Sequence, residues 1–377
     1  MSKLRAIPLI LGLFVIGGLF CGPYKAFSQE KVKDKSMFKK MIRLFPPLVP
    51  VDTVNVYVIG DVMLHKSQMD KEYGPFLEDL SRYACSADVS VANMEFPLGG
   101  KPYTGYPSFS APTDYADYVA SMGFDVFLAA NNHIMDRGTP GLDKTLDYYA
   151  GMKGVRFTGA ANKTVADSSI NPLIINAKGI KIALVNFTYG FNTGGPEEGR
   201  TVHMMKKEDV AEMMARAKAA GAHFIIALPH WGEEYVLKHN SRQGEWAKWL
   251  AEEGADVVVG SHPHVVQDTT YVKTKDGRKV PVVYSLGNAV SNMSLINTRL
   301  ELAATISLSR TFLGEVKFLG IHLDWLWCTL PGKLTDSYKT VVIKEYEGKR
   351  DLWKDPSDYD NMIESLKRVA KATGIGK

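Results

Sequence analysis

Phe224-Ile-Ile-Ala-Leu-Pro-His230 and Asp256-Val-Val-Val-Gly-Ser-His-Pro-His264 are the two stretches of sequence that decide the fold. Each contains a short apolar run that leads into histidine, and such runs are typical of buried strands when turn residues bound them. Between them, residues 242–253 carry Trp and Leu at helical spacing, which predicts a strand–helix–strand unit and a parallel sheet. Parallel strands end at one edge of a sheet, where ligands bind in open α/β sheets. The sequence therefore predicts an α/β fold with three imidazoles at a ligand-binding edge.

The same pattern, a predicted strand that leads into polar side chains, occurs three times upstream. These strands are predicted over 54–60, 88–95 and 124–130. The side chains at all of the strand ends are Asp61, Glu95, Asn132, His133, His230, His262 and His264. A single residue of this kind is usually a hydrated or core side chain, but that interpretation explains three histidines at strand ends poorly. We therefore expect these residues to form one polar cluster.

The chemistry of this predicted cluster indicates a metal site. Its donors are nitrogen and oxygen atoms without Cys, which argues against a structural zinc knot. Two carboxylates, one amide and three or four imidazoles exceed the needs of one tetrahedral ion, and they suit a pair of divalent ions that clamp a displacement at phosphorus. Mixed imidazole and carboxylate donors favour Mn, Fe or Zn over Ca without choosing among the three. The predicted cofactor is one or two such ions.

The rest of the chain predicts a hairpin over 171–191, a helix over 206–220 and a further strand over 280–288. Strands near 301–309, 315–323 and 339–346 follow at hairpin-like spacing, which predicts a second, antiparallel-rich sheet. An amphipathic helix over 357–371, with Ser357 as its N-cap, closes the chain. We expect an α/β domain at 51–347, with residues 348–377 forming a C-terminal helix packed on it.

Composition sets limits on the function. With 377 residues, 45% of them hydrophobic, the chain can bury a large core. Its 45 Lys and Arg against 41 Asp and Glu give a net charge of +4, which is too balanced to predict a nucleic-acid partner.

The N-terminus predicts export. Lys3 and Arg5 precede an apolar run over 7–20, and a small-x-small site ends at Ser28, so we predict a signal peptide at 1–28. Residues 29–50 are Lys-rich and then Pro-rich, which is typical of an exposed linker. We rank lipidation of Cys21 behind this cleavage, because Phe20 stands where a lipid-attachment signal usually has Gly or Ala. The expected location is secreted, periplasmic or in the cell envelope.

Six motifs, in order along the chain, make the sequence resemble the CapA family. They are Gly60-Asp61, Asn93-Met-Glu95, Asn131-Asn-His-x-x-Asp136, His230-Trp-Gly-x-Glu-Tyr235, Gly260-x-His-Pro-His264 and Tyr284-Ser-Leu-Gly-Asn288. These capsule-synthesis proteins are associated with poly-γ-glutamate and belong to the calcineurin-like metallophosphatase superfamily. The resemblance implies a four-layer α/β/β/α sandwich, a substrate that is an anionic polymer or a phosphate ester, and capsule-assembly membrane proteins as partners.

The resemblance also implies a role for each matching residue. Ligands of one ion match Asp61 and His264, ligands of the other match Asn132, His230 and His262, and Glu95 takes the bridging place. His133 matches a general acid that protonates a leaving oxygen, and Asp136 is placed to orient it. Glu234, Tyr235 and Asn288 are taken as substrate-binding residues, although a structural hydrogen bond explains Glu234 and Tyr235 equally well.

Two departures from the family pattern affect these expectations. Met63 occupies a place where superfamily phosphatases carry His, and the nearest imidazole is His65. One ion position should therefore have fewer protein ligands and bind more weakly, and Met63→His should tighten it, provided that His65 does not already reach the ion. Ser110 stands where many family members have Arg, so Arg137 and Arg200 are candidate substitutes for holding an anion.

Three functions remain open from the sequence. The first is a cell-envelope protein that acts in the synthesis, export or anchoring of an anionic capsular polymer such as poly-γ-glutamate. The second is a secreted metal-dependent phosphoesterase, and the third is a non-catalytic binding protein whose metal is structural. The complete ligand set for the second ion and the His133–Asp136 pair favour a metal-dependent hydrolase. The absence of His at position 63 favours something other than ordinary phosphatase turnover.

Overall fold

The elements alternate between strands and helices through most of the chain. A computed structural model describes residues 52–311 and 314–376, so the predicted signal peptide and linker lie outside the described residues. The strands are β1 (Asp52–Val62), β2 (Val89–Met94), β3 (Val126–Leu128), β4 (Arg156–Thr158), β5 (Ala160–Ala161), β6 (Leu173–Ala177), β7 (Ile180–Thr188), β8 (Thr201–Val202), β9 (Phe224–His230), β10 (Val257–Val259), β11 (Thr269–Lys273), β12 (Lys279–Val283), β13 (Asn288–Val290), β14 (Leu300–Arg310), β15 (Val316–Thr329) and β16 (Lys339–Val342).

The α-helices are α1 (Lys66–Met69), α2 (Glu78–Ser86), α3 (Thr113–Ser121), α4 (Gly138–Gly151), α5 (Asp167–Ile170), α6 (Lys207–Ala219), α7 (Ser241–Glu252), α8 (Ile343–Tyr346) and α9 (Pro356–Thr373). Short 3₁₀ turns lie at Ile296–Arg299 and Arg350–Leu352. Within the described ranges, no helix combines the length and the apolar character that crossing a membrane requires.

The first sheet has the strand order β16-β15-β14-β1-β2-β3-β4, and β13 pairs with the end of β1. Strands β1 to β4 are parallel, and helices α2, α3 and α4 connect them. The prediction that β14, β15 and β16 form a separate antiparallel sheet is wrong, because β14 pairs with β1 from Asp52↔Arg310 to Ile59↔Ala303. Hairpin spacing predicts which strands pair with each other, but not which free edge of an existing sheet they extend.

The second sheet has the order β11-β12-β10-β9-β7-β6. Its central strands β7, β9, β10 and β12 are parallel, which confirms the predicted strand–helix–strand unit β9–α7–β10. The strand predicted over 280–288 is divided, since β12 belongs to the second sheet and β13 to the first. At this crossing Gly60 lies so close to Gly287 that an added Cβ would come 1.9 Å from the Gly287 carbonyl oxygen. The two sheets therefore meet closely beside Asp61.

Three apolar clusters separate four layers. Alternation along β1 sends Val56 and Val58 into the cluster between the two sheets, while Tyr57 and Ile59 enter the cluster under helices α2 to α4. A third cluster lies between the second sheet and helices α6 and α7. The layers are thus helix, sheet, sheet and helix, which confirms the four-layer α/β/β/α sandwich.

Helix α9 packs on the sandwich through Met362, Leu366 and Val369, which join the cluster that contains the inner faces of the sheets. It begins one residue before the predicted N-cap, because the side chain of Asp355 accepts a hydrogen bond from the backbone N–H of Ser357. Asp355 is therefore the N-cap rather than Ser357, since Pro356 already lies in the first helical turn.

Candidate metal centre

The carboxyl ends of the parallel strands of both sheets meet at one place. The first sheet supplies Asp61 near the end of β1, Glu95 after β2, and the pair Asn132 and His133 after β3. The second sheet supplies His230 at the end of β9, and His262 and His264 after β10. All of these side chains are buried, none more than 3% exposed. The predicted ligand and acid residues therefore do lie together.

One group of possible ligands contains Asp61, Glu95 and His264, each of which offers a donor atom within 4.8 Å of the other two. Nδ1 of His264 lies 3.5 Å from Oδ2 of Asp61 and 3.9 Å from Oε2 of Glu95. These distances are short enough for a single ion to contact all three residues after small rotations.

A second group contains Glu95, His230 and His262 within the same distance. Nε2 of His230 lies 3.4 Å from Oε1 of Glu95 and 2.7 Å from Oδ1 of Asn132. Because Glu95 belongs to both groups, through a different oxygen in each ion pair, it stands where a carboxylate could bridge two ions.

Several polar atoms in this cluster lack a partner. Both carboxylate oxygens of Glu95 and Nδ1 of His262 are buried, and none has a hydrogen bond within residues 52–311 and 314–376. Burying an unpaired carboxylate costs several kcal/mol, and proteins balance such groups with cations or metals. Imidazole and carboxylate donors of this kind suit Mn, Fe or Zn. The residues present therefore fit one or two divalent ions.

The electrostatics of the protein without metal are consistent with this fit. Burial alone would lower the pKa of His264, but the charge of Glu95 and the hydrogen bond with Asp61 raise it to about 10. Burial would raise the pKa of Asp61, while the hydrogen bond with His264 and the nearby charge of His230 hold it below its usual range. Burial and the neighbouring histidines lower the pKa of His262. A proton on His264 thus provides part of the positive charge that an ion would supply.

Two residues that hold the ligands were not assigned a role from sequence. The side-chain N–H of Asn93 donates to Oδ1 of Asp61 at 2.6 Å and lies 3.2 Å from Nδ1 of His230. Ser261 Oγ lies 3.0 Å from the same ring nitrogen. Asn93 lies near the end of β2, two residues before Glu95, and this spacing, which favours one face in an extended chain, could have identified it.

The predicted general acid lies beside the ligand groups. Nδ1 of His133 is 2.7 Å from Oδ2 of Asp136, which also accepts from the backbone N–H of Phe109 at 2.8 Å. A carboxylate accepts, so the ring hydrogen lies on Nδ1 and Nε2 is left for other chemistry. Asn192 also lies here, with Nδ2 3.2 and 3.3 Å from the two ring nitrogens, and its Oδ1 accepts from Asn132 at 3.3 Å. No periodicity in its glycine-rich loop marks Asn192.

The three residues predicted to bind substrate have different surroundings. Asn288 is 0% exposed, its Oδ1 lies 2.9 Å from Nδ1 of His264, and its Nδ2 donates to the Thr298 carbonyl at 2.9 Å. Both ends of its amide are used inside the protein, so Asn288 is in place to orient His264, and its contact with substrate stays a prediction. Tyr235 is 42% exposed, with its ring centroid 6.2 Å from that of His264. Glu234 is exposed as well, and its carboxylate forms a ligand group with His262 and His264.

Met63 and His65, the residues at which the first motif departs from the family pattern, have structural roles. Met63 is 1% exposed and packs in the apolar cluster under the helices of the first sheet. His65 caps α1 instead, with Nδ1 3.0 Å from Oε1 of Gln68, and burial together with the charges of His264 and His133 lowers its pKa to about 4. Neither Met63 nor His65 belongs to the ligand groups.

The two arginines proposed as substitutes at position 110 are engaged elsewhere. Nε of Arg200 donates to Asp143 at 3.1 Å. Nη2 of Arg137 donates to the Pro102 carbonyl at 3.0 Å. Ser110 is buried and donates to the Gly100 carbonyl at 2.7 Å. These side chains hold surface loops in place.

The profile of the family described as bacterial capsule synthesis protein PGA_cap matches residues 55–293. The capsule biosynthesis protein CapA of Bacillus anthracis is 27% identical over 263 residues, which are 66% of this chain and 62% of the relative, so the match spans about three-fifths of that protein. The PGA biosynthesis protein CapA of Bacillus subtilis (strain 168) is 30% identical over 286 residues, 72% of each chain.

Solved structures also resemble the chain, at low sequence identity. The NAD nucleotidase NadN of Haemophilus influenzae aligns with a TM-score of 0.46 and 14% identity, covering 85% of this chain and 63% of that chain. The 5'-nucleotidase of Candida albicans SC5314 aligns with a TM-score of 0.39 and 12% identity, covering 67% and 46%. The profile match over most of the described chain, together with the Bacillus subtilis relative, shows that the chain belongs to the bacterial capsule synthesis protein PGA_cap family.

Proposed function

We propose that this protein is a metal-dependent hydrolase of the cell envelope that acts on an anionic capsular polymer such as poly-γ-glutamate during its synthesis, export or anchoring. The observation that carries the proposal is the pair of buried, unpartnered carboxylate oxygens on Glu95, which lie among His230, His262 and His264. Family membership supports the polymer, because the Bacillus subtilis relative is named a PGA biosynthesis protein.

Two sets of residues would hold the ions. Asp61, Glu95 and His264 would hold one, and Glu95, Asn132, His230 and His262 would hold the other. Bound ions would polarise the scissile group and lower the pKa of water. Asn93, Ser261 and Asn288 keep the ligand side chains oriented through the hydrogen bonds described above.

The proton chemistry would belong to His133. Its hydrogen bond with Asp136 fixes the tautomer and the direction of the ring, so that Nε2 can hold a proton for a leaving oxygen or nitrogen. Tyr235, whose side chain is exposed, would contact the polymer. Capsule-assembly membrane proteins are the partners that such a role would require.

The test is a substrate panel for the purified full chain loaded with Mn²⁺. We expect metal-dependent cleavage of γ-glutamyl oligomers, and His133→Gln should lower the rate by about 10²–10⁴-fold at unchanged metal content. Cleavage of phosphate esters alone would contradict the polymer as the substrate and support a secreted phosphoesterase. Tight metal binding without any turnover would overturn the hydrolase and support a binding protein with a structural metal.

Location is tested by sequencing the mature N-terminus in the native cell. Cleavage after Ser28 gives a chain that begins at Gln29 in the envelope or medium. Acylated Cys21 would show lipoprotein processing instead, and an intact Met1 in the cytoplasm would contradict export.

A further inference from the structure

Glu234 occupies a place that its sequence motif does not explain. Its carboxylate lies within 4.8 Å of donor atoms on both His262 and His264, so these residues form a third ligand group. The two histidines are buried, whereas Glu234 is exposed. A neutral imidazole has one unprotonated ring nitrogen, so each histidine can contribute to the inner group with Glu95 or to the outer group with Glu234, depending on its tautomer. The outer group faces solvent.

The backbone fixes Glu234 above the two histidines. The backbone N–H of Tyr235 donates to the Pro263 carbonyl at 2.9 Å, and that of Trp231 donates to the Ser261 carbonyl at 3.0 Å. Trp231 is fully buried, and its indole N–H donates to the Tyr284 carbonyl at 2.9 Å. The loop that carries Glu234 is thus attached on both sides of the carboxylate to the turn that carries the imidazoles.

The backbone around this group is strained. Tyr235, His262 and His264 have φ values of +67°, +98° and +57°, in the left-handed region that side-chain-bearing residues rarely adopt. Such conformations cost about 1–3 kcal/mol each and persist where the surrounding structure requires them. Here they bring one carboxylate and two imidazoles from separate loops to the same point.

We propose that Glu234 is a metal ligand, and that with His262 and His264 it forms a solvent-facing position for a divalent cation. The assignment rests on the proposed function and deepens it by stating how an anionic substrate is held. A cation with only three protein ligands keeps positions for a carboxylate or phosphate oxygen of the substrate. Arg137 and Arg200 donate hydrogen bonds to Pro102 and Asp143 instead of holding an anion. The cation would therefore supply the positive charge that binds an anionic substrate.

The experiment compares Glu234→Gln with Glu233→Gln in the full chain. Glu233 is the matched control, because it is the adjacent exposed glutamate and belongs to none of the ligand groups. Apo protein is titrated with Mn²⁺ alone, and bound and free ion are counted by electron paramagnetic resonance. Residues that only orient a ligand contribute about 10–100-fold to affinity, so losing a ligand should weaken the weakest-bound Mn²⁺ by at least that factor.

The expected result is this loss in Glu234→Gln, while Glu233→Gln titrates like the wild type and the tightly bound Mn²⁺ persists in both variants. Visible absorption of the Co²⁺-loaded chains gives a second measurement, because changed coordination changes the spectrum in Glu234→Gln only. Superimposable titrations and spectra for the two variants overturn the assignment and leave the proposed function intact. A wild-type chain that takes up no Mn²⁺ overturns both.

Discussion

Two clusters of buried charge in this protein are balanced in different ways. At the metal centre the carboxylate oxygens of Glu95 have no hydrogen-bond partner in the described part of the chain. Between the 3₁₀ turn Ile296–Arg299 and helix α9, Nη1 of Arg299 lies 2.7 Å from Oδ1 of Asp358, and Nη2 donates to Oδ2 at 2.7 Å. The guanidinium also lies over Trp327, 4.4 Å from its ring centroid. In one cluster the charges are paired by protein side chains, whereas in the other a bound cation would balance the carboxylate.

The difference teaches that buried charge alone does not identify a site. Arg299 and Asp358 are buried as well, at 5% and 1% exposure, yet their charges cancel within the fold. What distinguishes the metal centre is that both carboxylate oxygens of Glu95 and Nδ1 of His262 converge there without a hydrogen bond. The two clusters should therefore respond in opposite ways to mutation and to added metal.

The largest effect should come from breaking the closed cluster. Arg299→Met leaves Asp358 buried and unpaired, which should lower the free energy of unfolding by about 3–5 kcal/mol. Chemical denaturation of the full chain measures the loss. Combining Arg299→Met with Asp358→Leu should recover most of it, because the unpaired charge is then removed. If the difference between wild type and Arg299→Met disappears when both chains bind Mn²⁺, the two clusters are not separate.

Added metal should have the next largest effect on stability, and it should act only through the metal centre. At 1,000 times the dissociation constant, Mn²⁺ should raise the free energy of unfolding by about 4 kcal/mol, and a chelator should reverse the gain. Differential scanning calorimetry with and without the ion measures the difference. The Arg299→Met chain should gain a similar increment, since Arg299 contacts Cys328 and Asp358 and not the ligands. Equal stability with and without metal would contradict the proposed site.

A smaller effect is expected from residues that orient the ligands. Asn93→Ala removes the hydrogen bond to Asp61 and should weaken Mn²⁺ binding by roughly 10–100-fold. Asn162→Ala is the control, because that buried side chain donates to Asp147, away from the ligand groups. It should leave Mn²⁺ affinity unchanged in the same titration. Equal losses in the two variants would indicate a general effect of destabilisation.

The smallest change in metal affinity is expected from Met63→His. The sequence predicted that this substitution would tighten one ion, but Met63 packs in the apolar cluster under the helices of the first sheet. A histidine there should leave Mn²⁺ affinity unchanged and lower the free energy of unfolding by about 1–3 kcal/mol, since its polar atoms are buried without a partner. Tighter binding, seen by titration, would show that the backbone rearranges to bring position 63 into the centre.

Sequence reasoning identified candidate ligands that lie together in the fold because strand ends can be recognised in the sequence. An apolar run that stops at Asp61, or leads into Glu95 or His230, predicts both the strand and the sheet edge where its last side chain lies. The position of β14 was not predictable in this way, because its apolar pattern would suit the edge of either sheet. Which edge it joins depends on the free side of β1, a property of the assembled fold.

The direction in which a side chain points was the second property that the sequence did not predict. Asn288 follows a strand and a glycine just as Asp61 does. The pattern does not reveal that its amide contacts His264 and Thr298 inside the protein. Asn192 lies in an irregular loop, and its approach to His133 arises from tertiary packing alone. The family motif singles out Glu234 rather than Glu233, but only the fold shows that its carboxylate lies beside the imidazoles.

The central claim is that the unpartnered carboxylate of Glu95 is balanced by a bound divalent ion. Calorimetric titration of the full apo chain with Mn²⁺, for the wild type and Glu95→Gln, tests it most directly. The account predicts tightly bound Mn²⁺ in the wild type, loss of that tight binding in Glu95→Gln, and an apo Glu95→Gln chain at least as stable as apo wild type, because a buried carboxylate without a hydrogen bond has been removed. A wild type without bound Mn²⁺, or a Glu95→Gln chain that binds it unchanged, would contradict the claim.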